Sequence, residues 1–484
     1  MIASRRSTLS PALAGALLLA GALRIPTLGT QSLWLDESYT LHLVRLSFSS
    51  MLATVPKTES TPPVYYVLAW IWSRLFGDSA FALRLLPALA GLATVAVIYV
   101  LALRVSGRRA AVYAGLLAAC APILVWFSQE ARSYSLATLL ACASLLALVR
   151  FLQDGRASAL AGWTALSALG IATHYFVAFI VVPAAVWLLA RRRADRRVLS
   201  GVIAVAAVGL ALIPLAATQL HAGHADWLTG IDLATRIAQV PKQYLLGYAS
   251  PNQTLTGVLA ALLLAGASLP GIRALHRSGV LPLLSAGLVC TLAPILLALV
   301  GIDLLDTRNL LPAVPPLLVV ASVLSAAGSS RLASACCVGG LCAVFMYVGL
   351  AIDATPRYQR NDWRGVSSAL GPRTKRVIVA SPDSALLPMQ AYQRGITTLT
   401  GPLSTDTLDV IEIPPQQTGQ GTAAPDHPSA AFRPPPGFKL VGARYTSTYA
   451  VLALRSPRPV ILTPATLSAV RLGAQSYTVL AQSR

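Results

Sequence analysis

Long apolar runs dominate the chain up to about residue 352 and then stop. A helix crosses a bilayer in about 20 residues, and runs near that length occupy 9–27, 82–103, 110–127, 133–151, 157–174, 175–190, 198–217, 254–272, 279–300, 309–327 and 332–352. About eleven transmembrane helices are expected. The fifth and sixth runs abut, so a count of ten to thirteen fits the same pattern. Between the first two runs, residues 28–81 do not span. Apolar positions recur there at helical spacing over 41–52, and Pro62 and Pro63 open a second short segment, 64–76, carrying Tyr65, Tyr66, Trp70 and Trp72. Proline suits a helix start and amphipathic aromatic rings suit the interface, so this segment is predicted to lie along the membrane surface.

From Asp353 the periodicity changes. A strand-like run at 376–380, a helical stretch at 384–394, and alternating strands at 438–444 and 448–455 joined through Thr446 and Ser447 predict a small α/β domain. Residues 413–437, rich in Pro, Gly, Gln and Ala, read as a flexible loop. The expected organisation is a polytopic α-helical membrane domain over 1–353, with its first extracytoplasmic loop at 28–81, followed by an extracytoplasmic α/β domain over 354–484.

Composition supports that division. Hydrophobic residues make up 55% of the 484 and charged residues 12%, against roughly 25% charge in soluble proteins. The net charge of +20 would suggest a polyanion partner in a soluble chain. Here the arginines fall in short loops of one parity: Arg5 and Arg6, Arg104, Arg108 and Arg109, Arg150 and Arg156, Arg191 to Arg193 with Arg196 and Arg197, Arg273 and Arg277, and Arg331. That is the positive-inside pattern, and it argues against a nucleic-acid partner, which needs a contiguous basic groove. Arg5 and Arg6 would suit a signal peptide too, but the topology calls for a retained first helix. The cysteines, 120, 142, 290, 336, 337 and 342, all sit in apolar runs and read as buried thiols rather than a disulfide framework or a metal set.

The opposite face collects the groups capable of chemistry. Foremost are Asp36 and Glu37, adjacent acids after the first apolar run, expected on a loop at the membrane face. Adjacent side chains diverge, so one acid can serve chemistry while the other orients a partner or caps the backbone; spacing leaves open which does which. Gln129, Glu130, Arg132, His174, Asp303, Asp306, Arg308 and the loop 218–253 share that face. Glu130 or an aspartate at 303 or 306 would be the structural partner of the neighbouring arginine. His221, His224 and Asp226 lack a rigid ligand spacing, so no metal is expected. The same loop, with Trp227, Lys242, Gln243, Tyr244 and Tyr248, could form a lid. Outside the cytoplasm there is no nucleotide supply, so group transfer there calls for a lipid-linked donor. Dinucleotide, phosphate-loop and serine-hydrolase signatures are absent from the sequence.

The ordered series Trp34-Leu35-Asp36-Glu37, Thr61-Pro62-Pro63-Val64-Tyr65-Tyr66, Phe81-Ala82-Leu83-Arg84-Leu85-Leu86-Pro87, Ser128-Gln129-Glu130-Ala131-Arg132-Ser133-Tyr134, Thr173-His174-Tyr175-Phe176, Arg308-Asn309-Leu310-Leu311-Pro312 and Asp362-Trp363-Arg364 resembles bacterial family 39-like glycosyltransferases. These are C-type membrane enzymes related to protein O-mannosyltransferases and the lipid A aminoarabinose transferase. The resemblance implies an inverting transferase, with mannose as one candidate sugar, that uses a polyprenyl-phosphate sugar as donor, a co-substrate rather than a cofactor. The acceptor would be a lipid, glycan or protein hydroxyl, on the outer face of the cytoplasmic membrane. It makes Asp36 the general base and Glu37 an orienting or loop-structuring acid, with Glu130 a second acid of the site. Arg132, Arg308 and Arg84 become candidate phosphate contacts, and Tyr65, Tyr66, His174 and Gln129 candidate substrate contacts. In one respect the chain departs from the aminoarabinose branch, which has Glu-Lys immediately before Pro-Pro. Here Ser60-Thr61 stand there, and Lys57 and Glu59 are out of register. The competing class is a transporter or lipid flippase without covalent chemistry, for which the nearly charge-free spans and lack of internal repeats speak poorly.

Overall fold

The computed structural model describes residues 10–223, 226–276, 279–372, 374–417, 421–427, 432–467, 470, 472–473 and 475–483. Arg5, Arg6, His224 and Arg277 lie outside the described residues. The chain divides into two compact units, the first comprising Met1–Leu28, Leu46–Tyr248 and Asn252–Leu350, the second Gly29–Arg45, Ala249–Pro251 and Ala351–Arg484. The second unit thus draws in the acid-bearing stretch that the sequence pattern assigns to the membrane domain.

In the first unit all eleven apolar runs are helical. Among the described residues, eight helices are long and apolar enough to span, from Ala80–Ser106 to Arg331–Ala354. The pair Arg108–Cys120 and Pro122–Ser128, bent by 56°, would make a ninth, while Pro11–Ala22 and Ala157–Ile171 are shorter apolar helices. The chain is a multi-pass membrane protein. The bend has a local cause: Pro122 has no N–H to continue the ladder. The carbonyls this leaves near the break must be satisfied away from water. Buried Arg24 does so, donating from Nη1 to Ala119 O at 2.7 Å and from Nη2 to Ala118 O at 3.1 Å.

Polar contacts join groups predicted on the same side of the membrane. Arg104 pairs with Asp154 at 3.3 Å. Arg109 donates to Ala326 O at 3.0 Å and to Arg331 O at 3.4 Å. The 64–76 segment is a helix, Val64–Phe76, started by Pro63. The helical pattern at 41–52 does not form one helix. Ser47 breaks it by capping a new one, accepting from Ser50 N at 3.2 Å, so the stretch divides into Leu35–Arg45 and Phe48–Thr58. Cys120, Cys142, Cys290 and Cys342 are buried, but Cys337 is only partly so and Cys336 is exposed. Lipid tails are themselves apolar, so nothing drives an apolar thiol on a spanning helix into the protein interior.

The second unit is a mixed sheet. Its strands are β1 (Arg376–Ser381), β2 (Ile396–Thr398), β3 (Leu403–Glu412), β4 (Gln416–Gln417), β5 (Gly421–Thr422), β6 (Lys439–Tyr445), β7 (Ala450–Leu462) and β8 (Thr478–Gln482). Six pair in the order β2-β8-β1-β3-β7-β6, with β1 and β3 parallel and the other neighbours antiparallel. β6 and β7 form the expected hairpin, and β4 pairs with β5 as a short ladder inside the stretch read as a flexible loop. The sheet is apolar on both faces. Val377, Val379, Leu408, Val410, Leu452 and Leu454 pack with Phe438, Leu467 and Leu472 on one. Ile378, Ala380, Ile411 and Leu480 pack on the other with Trp363 and Val366 of the helix Trp363–Leu370 and Met389 of the helix Leu386–Tyr392.

Asp409 on β3 holds two guanidiniums, Arg376 at 2.9 Å and Arg455 at 2.8 Å, and Arg376 also donates to Leu370 O at 2.7 Å. Removing one partner of a buried pair leaves the other charge uncompensated, at a cost of about 3–5 kcal/mol. Asp409→Ala is therefore expected to lower the unfolding midpoint of this unit by several degrees in a melt of the purified full chain.

Candidate active site

The two acids lie in the first turn of the helix Leu35–Arg45, not on a loop, and the structure separates their tasks. Glu37 is fully buried, and its Oε2 turns back to accept the backbone N–H of Trp34 at 3.4 Å. That is the reciprocal reach of an acid at the third helical position to the residue before the helix. Asp36, one position earlier, keeps part of its surface accessible. Spacing alone leaves the division open; the backbone geometry gives the cap to Glu37.

In the first unit, four predicted residues come together. Arg132 pairs through Nη2 with Glu59 Oε2 at 2.8 Å and lies 5.8 Å over the ring of Tyr66. Tyr66 completes a triad by donating its hydroxyl to the same Oε2 at 2.5 Å. Burial holds that hydroxyl well above the usual phenol range, against the pull of the Arg132 charge. Arg308 pairs through Nε with Asp306 at 3.0 Å and lies 5.9 Å over the ring of Tyr134 and 5.2 Å over that of Trp227. His174 sits 5.6 Å from Tyr134, ring to ring, and its Nδ1 accepts Phe176 N–H at 3.3 Å. Burial first, then the positive charges of Arg308 and Arg132, lower its pKa to about 3. The imidazole is therefore neutral at physiological pH.

Arg308 takes one of its two anticipated partners, and Arg132 pairs with an acid that was not anticipated. Arg132 pairs with Glu59, and across the tight turn at 129–133 its backbone N–H donates to Glu130 O at 2.7 Å. Asp303 serves Arg236, which also donates to Leu305 O at 2.9 Å, and leaves Arg308 to Asp306. Trp227 and the helix Leu233–Leu246 are tied to this region: Arg236 pairs with Asp303, and Tyr244 donates to Leu310 O at 3.3 Å.

The remaining predicted residues have local duties. Gln129 Nε2 donates to Thr27 Oγ1 at 2.7 Å and to Arg24 O at 3.0 Å, closing the end of the first helix. Arg84, buried in Ala80–Ser106, donates to Leu28 O at 3.0 Å. Tyr65 meets Tyr66 edge to face at 5.5 Å, and Glu130 is fully buried. Glu59 is the residue that sequence reasoning set aside. Its signal was an acid just ahead of Thr61-Pro62-Pro63; shifted register concealed it, although the helix Phe48–Thr58 ends there and delivers its side chain inward. Among the described residues no group of three or more His, Cys, Asp or Glu side chains is placed to hold a metal ion. Chemically, the cluster offers planar guanidiniums held by carboxylates and aromatic rings, a geometry suited to phosphate oxygens.

Residues 60–220 match a family model described as dolichyl-phosphate-mannose-protein mannosyltransferase. ArnT from Cupriavidus metallidurans, in its crystal structure bound to undecaprenyl phosphate, superposes with a TM-score of 0.53 at 14% identity, covering 91% of this chain and 97% of that one. The arabinosyltransferase EmbB from Mycobacterium smegmatis superposes at 0.45 with 16% identity, over 92% of this chain and 48% of that one. At 14% identity the likeness to ArnT is one of fold. No curated protein sequence matches the chain.

The His174 environment has a pH signature. The unfolded chain binds a proton at this site below about 6.5, whereas the native site does so only near 3. The stabilisation from keeping the ring neutral is therefore complete above about 6.5 and is lost as pH falls toward 3. The detergent-solubilised chain is expected to melt at a lower temperature at pH 5 than at pH 7.5, and His174→Gln to flatten that part of the profile.

Proposed function

We propose, from the family-model match over residues 60–220 and the likeness of fold to ArnT, that the chain is a C-type, family 39-like inverting transferase using a polyprenyl-phosphate sugar, with mannose one candidate. The acceptor is a hydroxyl on a lipid, glycan or protein at the outer face of the cytoplasmic membrane. The observation that supports the reading best is the division between the acids: Glu37 is committed to the backbone, and Asp36 is the partly accessible carboxylate beside it.

In this reading Asp36 accepts the acceptor's proton as the hydroxyl oxygen attacks the anomeric carbon. The bond from that carbon to the phosphate oxygen breaks, and its electron pair leaves with the polyprenyl phosphate. One displacement inverts the centre. Arg132 and Arg308 answer the growing charge on the leaving phosphate through directed N–H donors. Tyr66 and Glu59 hold Arg132, Asp306 holds Arg308, and neutral His174 adds no third cation to the pair. Arg84, Tyr65, Gln129 and Glu130 support the helices around these groups. The lipid-linked sugar is a co-substrate rather than a cofactor. The same-side contacts of Arg104 and Arg109 support placing their end of the first unit at the cytoplasm.

The test is transfer of labelled mannose from undecaprenyl-phosphate mannose to envelope acceptors by the reconstituted chain. Loss of a general base lowers rates by about 10²–10⁴-fold, so Asp36→Asn is expected to be nearly inactive while still folded. Arg132→Ala and Arg308→Ala are expected to lower kcat/KM for the donor by at least about tenfold each. Wild-type transfer by Asp36→Asn, or substrate movement with no covalent product, would refute the reading.

A further inference from the structure

The Asp362-Trp363-Arg364 motif, to which the sequence gives no role, lies in the same unit as the acids and grips the chain just ahead of them. Ser32 Oγ donates to Asp362 Oδ1 at 2.9 Å and accepts Arg364 N–H at 3.0 Å. Arg364 Nη1 donates to Gly29 O at 3.1 Å and Thr30 O at 3.3 Å. One residue back, Gln31 Oε1 accepts both the backbone N–H and the Nη1 of Arg360, at 3.2 and 3.3 Å. One residue on, Leu33 N donates to Tyr392 OH at 2.6 Å. Asp362 cannot move to suit a displaced strap, because its Oδ1 also caps the helix Trp363–Leu370 through Gly365 N at 2.9 Å. A Cβ at Gly365 would lie 2.2 Å from that carboxylate, so the cap is close-packed.

Five consecutive residues, Gly29 to Leu33, are thus fixed by groups from 360–364 and from Tyr392, and the helix bearing Asp36 begins two residues later. Each residue advances a helix by about 100°, so a one-residue slip in this strap would turn Asp36 to another face. We propose that Ser32, Asp362 and Arg364 are positioning residues for Asp36, the C-terminal domain serving as the jig that sets where the base points. The proposal rests on the functional reading above only for the role of Asp36; the clamp itself is a separate claim about geometry.

Ser32 is the residue to change, because Asp362 also holds its own helix. In the full chain in lipid nanodiscs, Ser32→Ala removes both hydroxyl contacts and Ser32→Thr keeps them. Misplacing a reacting group by about 1 Å can cost 10²-fold. Ser32→Ala is therefore expected to lower kcat for mannose transfer from undecaprenyl-phosphate mannose by at least about tenfold. The KM for that donor and the melting midpoint should be retained, and Ser32→Thr should restore kcat. Hydrogen exchange at the amides of 33–38 is expected to quicken in Ser32→Ala and to return to the wild-type rate in Ser32→Thr. Unchanged exchange there overturns the clamp. So does unchanged kcat in Ser32→Ala while Asp36→Asn is inactive, or a loss of kcat that only follows a lowered melting midpoint and that threonine does not rescue. Should Asp36→Asn transfer at the wild-type rate, the functional reading fails on its own, and the exchange measurement still decides the clamp.

Discussion

A guanidinium removed from water must find oxygens, and meeting that demand determines much of how both units are built. Arg24 finds them in carbonyls exposed by the Pro122 break, so one buried cation makes a bent helix pair tolerable in an apolar layer. Arg132 finds Glu59, which ties the turn at 129–133 to the end of the helix Phe48–Thr58. Arg376 finds Asp409 and two carbonyls, which locks β1 to β3 at the start of the sheet. In each case the arginine joins segments far apart in sequence. Its removal would open a connection rather than merely delete a charge.

The same demand bears on chemistry. A site built from unpaired arginines would repel itself and would have to reorganise when a phosphate arrived. Here Arg132 and Arg308 are each already held by an acid, and each lies near aromatic rings. The orientation is fixed before any ligand is present, and preorganised donors need no further ordering as charge develops. The neutral state of His174 fits that arrangement, since a third positive charge beside Arg132 and Arg308 would work against both.

Much of the helical architecture was legible in the sequence because its cause is local: an apolar run of sufficient length has to become a helix in lipid. The helix at Val64–Phe76 and the β6–β7 hairpin were legible for similar reasons, a proline start and a turn between alternating strands. Less was legible where a short polar residue competes with periodicity. Ser47 interrupts an apparently continuous helical pattern by capping a new one, and the acids, expected on a loop, form the first turn of a helix because Glu37 can reach back to Trp34. Partner choice was legible only in part. Nearest-neighbour reasoning offered Asp303 or Asp306 to Arg308, and the fold supplies Asp306; for Arg132 it offered Glu130 and did not point to Glu59. A long flexible side chain pairs with what the packing brings to it, and that distance is not written along the chain. The order of the six-stranded sheet was hidden for the same reason, since β1 sits between β3 and β8 and draws strands from widely separated stretches.

The division of the chain into units follows from these contacts rather than from hydrophobicity. Residues 29–45 adjoin an apolar helix and would be assigned to the membrane part by composition, yet Gln31, Ser32 and Leu33 bond to Arg360, Asp362, Arg364 and Tyr392. Those bonds fix a backbone strap, and a strap fixes the start of the helix that follows it. An acid in the first turn of such a helix inherits its direction in part from the strap, which several directed hydrogen bonds hold in place. The C-terminal domain therefore holds the strap that leads into the helix bearing Asp36, and a truncation that removed it would release the strap even if every membrane helix remained.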